Sequence, residues 1–179
     1  MHKPTKRPYD RTSYVLIVDD DDTLLKFFKI HLNKFFSKVI VVPNAKEAVE
    51  TLKTKEIDLV ITDIRMPRMD GFQLLKRIRD YDASIPVLLV TGAMLDNEQQ
   101  AEADNFADGF LRKPFSVDEL HGAIDSGFTK REYLKKLSQL VANNKNLLKL
   151  IRGKVKIEDI VDKGQRKEAD ELYKLLKAG

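Results

Sequence analysis

The chain has 179 residues, 42% of them hydrophobic, with a net charge of +4 and no cysteine. That is enough apolar material for a core and too much for a disordered chain. The lack of cysteine excludes a disulfide framework or thiolate metal site and fits a reducing compartment. No apolar run approaches the roughly 20 residues of a membrane-spanning helix. Met1 to Asp10 is polar and basic and lacks the apolar stretch of a signal peptide, so a cytoplasmic location is expected.

The charge is unevenly spread. Residues 1–13 carry +3, residues 14–127 carry −6 and residues 128–179 carry +7. Such asymmetry marks modules with different tasks. We therefore expect a flexible basic leader over 1–13, a folded domain over 14–127 and a helical C-terminal extension over 128–179.

In chain order, the first apolar run is Val15-Leu16-Ile17-Val18, followed by Asp19, Asp20, Asp21 and Asp22. Leu24, Phe28, Leu32 and Phe35 then recur at helical spacing, with Asp22 read as the cap of that helix. A second run, Val39 to Val42, leads through the cap Asn44 to Ala45, Ala48, Val49 and Leu52. A third, Leu59 to Ile61, ends in Thr62 and Asp63. Asp70 then caps a helix carrying Leu74, Leu75 and Ile78. The fourth run, Val87 to Val90, ends in Thr91 and is followed by a polar, weakly patterned helix near Asn97 to Phe106. The short Phe110-Leu111 precedes Lys113 and Pro114, after which Ser116 and Glu119 form a capping-box pattern.

Five strand–helix alternations predict an α/β fold with a five-stranded parallel sheet, doubly wound. In such a sheet the ligand site lies beyond the carboxyl ends of the strands. Asp19, Asp20, Asp63, Thr91 and Lys113 all follow apolar runs, so three carboxylates, a hydroxyl and an amine converge on one edge. Clustered carboxylates repel one another. A hard divalent cation resolves the conflict, and Mg²⁺ needs few protein ligands because it keeps several waters. One carboxylate is then left as a nucleophile toward phosphorus.

The segments Leu16-Ile17-Val18-Asp19-Asp20-Asp21, Asp58 to Gly71 and Lys113-Pro114-Phe115 closely resemble the bacterial response-regulator receiver. The likeness covers roughly residues 14–125. It implies a flavodoxin-like receiver fold, Asp63 as phosphoacceptor, and Mg²⁺ held by Asp19, Asp20, Asp63 and the Arg65 main-chain carbonyl. It further implies Thr91 and Lys113 as phosphoryl contacts, Phe110 as the aromatic switch residue, a cis bond before Pro114, and Arg65 and Ala93 as tuners of the phosphoryl lifetime. The implied role is a phosphoacceptor signalling domain of a two-component phosphorelay. Its donor would be a histidine kinase or phosphotransfer protein, and its own chemistry would be self-phosphorylation and slow self-dephosphorylation.

The extension carries Leu134, Leu137, Val141, Asn144, Leu148 and Ile151 at alternating spacings of three and four, an a/d seam with one polar position. Leu140, Leu147 and Leu150 widen the face beyond a coiled-coil stripe. A bundle within the chain and a homodimeric coiled coil both satisfy this pattern. The expected output is protein–protein interaction through residues 128–179. The alternative is a transcription regulator with an atypical DNA-binding tail, although no recognition helix is evident. No cyclase, phosphodiesterase or Gly-rich ATPase signature is present.

Overall fold

The structure is a computed structural model that describes residues 13–143. The leader 1–13 falls outside this range except for Ser13, as do Asn144, Leu148, Ile151 and the rest of the extension. The chain divides into two units after Arg131. The first consists of β1 (Tyr14–Val18), α1 (Asp22–Leu32), β2 (Lys38–Val42), α2 (Ala45–Thr54), β3 (Leu59–Asp63), α3 (Gly71–Tyr81), β4 (Val87–Thr91), α4 (Asn97–Phe106), β5 (Gly109–Arg112) and the start of α5 (Val117–Asn143). Helix α5 runs unbroken through position 127/128, where the charge pattern places a boundary.

All strand pairs are parallel, in the order β2-β1-β3-β4-β5. This is the doubly wound sheet that the alternation predicts, in the flavodoxin-like order that the family resemblance implies. Position in the sheet explains the composition of each strand. The central β3 and β4 are buried along their whole length, and β1 from Val15 onward. The edge strands β2 and β5 are only partly buried. One apolar cluster lies under α2 and α3, with Leu74, Leu75 and Ile78 at zero exposure. The other joins Leu25, Phe28 and Leu32 of α1 to Leu120 and Ile124 of α5.

The helix signals hold with two corrections, both at α1. Asn44, Asp70 and the Ser116–Glu119 box act as caps. Helix α1, however, is capped by Asp21, whose side chain accepts the Thr23 and Leu24 N–H groups, while Asp22 is the first helical residue. In a run of four aspartates spacing does not single out the cap. The extended backbone at Asp21 does. The helix also stops at Leu32, which leaves Phe35 in the turn beyond it. Among the described residues no helix is long and apolar enough to cross a membrane.

Candidate functional site

The carboxyl ends of β1, β3, β4 and β5 meet at one edge. Asp19 follows β1, Asp63 ends β3, Thr91 ends β4 and Lys113 follows β5. Asp19 and Asp63 are buried, at 2% and 6% exposure. Lys113 bridges them, its Nζ lying 2.9 Å from Asp19 Oδ2 and 2.5 Å from Asp63 Oδ1. The second oxygens are held by main chain: Asp19 Oδ1 accepts the Asp21 N–H at 2.8 Å, and Asp63 Oδ2 accepts the Arg65 N–H at 2.5 Å. Asp20 is exposed.

Burial pushes the Asp19 carboxyl above the usual carboxylate range, against the opposing pull of the Asp21 N–H and Lys113. For Lys113, burial alone would favour the neutral amine. The hydrogen bonds and charges of Asp63 and Asp19 outweigh it and hold the ammonium above the ordinary lysine value. One ammonium thus faces two carboxylates, with a third carboxylate adjacent in sequence, so the edge retains an excess of negative charge.

Thr91 is fully buried. Its Oγ1 accepts the Ala93 N–H at 3.1 Å, and its carbonyl accepts the Lys113 N–H at 2.8 Å. This ties the end of β4 to the residue that reaches Asp63. The Lys113–Pro114 bond is cis. Phe110 is half-buried against the cluster under α3, beside a groove between β5 and α5 lined by Gln100, Arg112, Glu119 and Gly122. Arg65 is exposed and Ala93 half-buried. The structure therefore brings Asp19, Asp63 and Lys113 into direct contact and joins Thr91 to them through the backbone, with Asp20 at the open side. Among the described residues no three His, Cys, Asp or Glu side chains are grouped closely enough to hold a metal ion by themselves. The oxygen donors nonetheless suit a hard cation that takes one or two carboxylates and retains water.

Two contributors have no role in the sequence reading. A Cβ on Gly71 would lie 2.3 Å from the Asp63 carbonyl oxygen and 2.9 Å from Ile64 Cα, so only glycine lets the start of α3 approach the end of β3. The Gly71 N–H donates to the Ile64 carbonyl there. Arg68, in the same loop, has φ of 71°, a left-handed conformation unusual for a side chain of its size. The glycine following the Asp70 cap was the available signal. Nothing in the sequence marks Arg68.

Residues 15–125 match the family model described as the response regulator receiver domain. Transcription factor SKN7 of Candida albicans is 32% identical over 111 residues, 62% of this chain and 20% of that protein. A probable transcriptional regulator of Cyanidium caldarium, ycf27, is 31% identical over 167 residues, 92% of this chain and 64% of that protein. The chain thus spans less than two thirds of either relative. Among solved structures, the signal receiver domain of an HD domain-containing protein from Pseudomonas fluorescens Pf-5 superposes with a TM-score of 0.63 at 29% identity. That match covers 69% of this chain and 99% of the other.

Proposed function

The chain belongs to the response regulator receiver domain family, and from that premise we propose that Asp63 accepts a phosphoryl group from a histidine kinase or phosphotransfer protein. The observation that carries this is the Asp63 carboxylate itself. It is buried at the open end of β3, with Lys113 on one oxygen and the Arg65 N–H on the other. Attack by a carboxylate oxygen on phosphorus forms an acyl phosphate and releases the donor's leaving group. Phosphoryl transfer asks of the protein mainly positioning and charge neutralisation. Lys113 supplies a cation already in place, and Thr91 retains a hydroxyl proton to donate, since its oxygen only accepts from Ala93.

Asp19, Asp20, Asp63 and the Arg65 carbonyl would hold Mg²⁺, which supplies neutralisation of phosphoryl oxygens when bound. Arg65 and Ala93 flank the path by which water reaches the acyl phosphate and so set its lifetime. Phosphorylation draws Thr91 toward the new group and leaves room for Phe110 to turn inward, a shift between two existing states. The output is a protein–protein interaction through residues 128–179 of a protein acting in the cytoplasm. In the test, a small phosphodonor with Mg²⁺ labels the wild-type chain on one residue and leaves Asp63→Asn unlabelled. Equal, equally stable labelling of the variant overturns the assignment.

A second reading is a transcription regulator with a helical DNA-binding tail. It is favoured by the similarity to ycf27, which covers 92% of the chain and so extends well beyond residue 127. Salt-dependent binding of the full chain to duplex DNA with a base-sequence preference would select it, whereas non-specific binding would not.

A further inference from the structure

At the opposite edge of the sheet from Asp63 lies a charged cluster that the proposed chemistry does not use. Asp108 precedes β5, and its side chain is fully buried. Its Oδ2 accepts from Arg79 Nη2 at 2.6 Å and from the Val87 N–H at 2.8 Å, while Oδ1 lies 2.6 Å from Arg131 Nε. Arg79, in the last turn of α3, also donates to the carbonyls of Ile85 and Phe106. Lys130 Nζ donates to the Ala107 carbonyl at 2.7 Å. One carboxylate therefore gathers α3, β4 and α5, while the basic groups around it hold the carbonyls that end α4. Gly127 makes the approach of α5 close: a Cβ there would lie 3.0 Å from Leu88 Cδ2 and 3.7 Å from Asp108 Cβ.

Two strands connect this cluster to the carboxyl edge. β4 begins at Val87, whose N–H is on Asp108, and ends at Thr91. β5 begins just after Asp108 and ends just before Lys113. At roughly 3.3 Å per residue such strands are short, stiff rods. They are bonded to each other along their length, with Leu88 to Thr91 of β4 facing Gly109 to Arg112 of β5. Arg131 is the last residue before the chain passes into its second unit, and α5 continues through it to Asn143.

We propose that the Asp108 cluster is a positioning joint: through Arg131 it transmits the state of the Asp63 edge to the part of α5 beyond residue 131. This rests on the reading of Asp63 as phosphoacceptor. A displacement of Thr91 and Lys113 toward a phosphoryl group moves the far ends of β4 and β5, where Asp108 holds the Val87 N–H and both arginines. A buried ion pair with fixed geometry responds to such movement by changing partners or distance rather than by solvation, because water is excluded from it.

The test uses the full chain with Mg²⁺, with and without the phosphoryl mimic beryllium fluoride, and reads amide hydrogen exchange over residues 132–143. Arg131→Met removes the charge and keeps much of the length, leaving Asp108 still bound to Arg79 and Val87. Arg131→Lys keeps the charge. In the wild type, the mimic is expected to change exchange there by about fivefold or more, the lower end of ordinary coupling. Arg131→Met should bind the mimic with unchanged affinity and lose that change, and Arg131→Lys should restore at least part of it. A mimic-binding wild type with no change beyond residue 131, or a full change in Arg131→Met, overturns the joint alone. Failure of Asp63 to accept either phosphodonor or mimic removes the phosphoacceptor reading and the joint with it.

Discussion

At the carboxyl ends of the strands one ammonium serves two buried carboxylates, Asp19 and Asp63, with the exposed Asp20 beside them. At the amino ends one buried carboxylate, Asp108, serves two guanidiniums, Arg79 and Arg131. The first edge keeps an excess of negative charge that faces solvent, which suits a dication and a phosphoryl chemistry. The second carries an excess of positive charge that is taken up by the carbonyls of Ile85, Phe106 and Ala107. Equivalent side-chain types thus yield a reactive edge and a fastening edge, according to which charge is in the minority and whether spare groups meet water or backbone.

The fastening edge should give the greatest loss of stability. Asp108→Ala leaves Arg79 and Arg131 without their shared counter-charge and the Val87 N–H without its acceptor, and should cost about 3–5 kcal/mol of stability. Asp19→Asn at the reactive edge should change stability by less than about 1 kcal/mol, since Lys113 keeps Asp63 and the amide oxygen still accepts the Asp21 N–H. Urea denaturation of both variants compares them directly. Equal losses would show that the two edges are fastened alike.

Next in size is the close approach beneath Asp63. Gly71→Ala places a methyl group against the Asp63 carbonyl and Ile64 Cα, both main chain, and should destabilise by about 1–3 kcal/mol. It should also slow labelling of Asp63 by displacing the end of β3. Wild-type labelling in a destabilised variant would show that Gly71 serves packing alone. The smallest effect concerns Arg68. Asparagine tolerates its left-handed backbone better, so Arg68→Asn should stabilise the chain by roughly 0.5–1 kcal/mol at most. A loss of stability on thermal unfolding would show that the Arg68 side chain outweighs its backbone strain.

The strand–helix alternation, and with it the parallel sheet and the edge that carries the site, was legible in the residues alone. Buried strands must be continuously apolar, so the residues that interrupt them announce themselves: Asp19, Asp63, Thr91 and Lys113 each stand where a run ends. Asn44, Asp70 and Ser116 were legible as caps for a similar local reason, because a cap bonds within three residues of itself. What depends on distant segments came from packing. Asp21 rather than Asp22 caps α1, and the backbone at that one residue makes the choice. Lys113 spans Asp19 and Asp63 across 94 and 50 residues of chain. Asp108 reads as one more polar residue before a strand, and neither arginine lies at a telling spacing from it. Its role arises because β4, β5, α3 and α5 pack their ends together, and a buried carboxylate among them must collect every donor within reach.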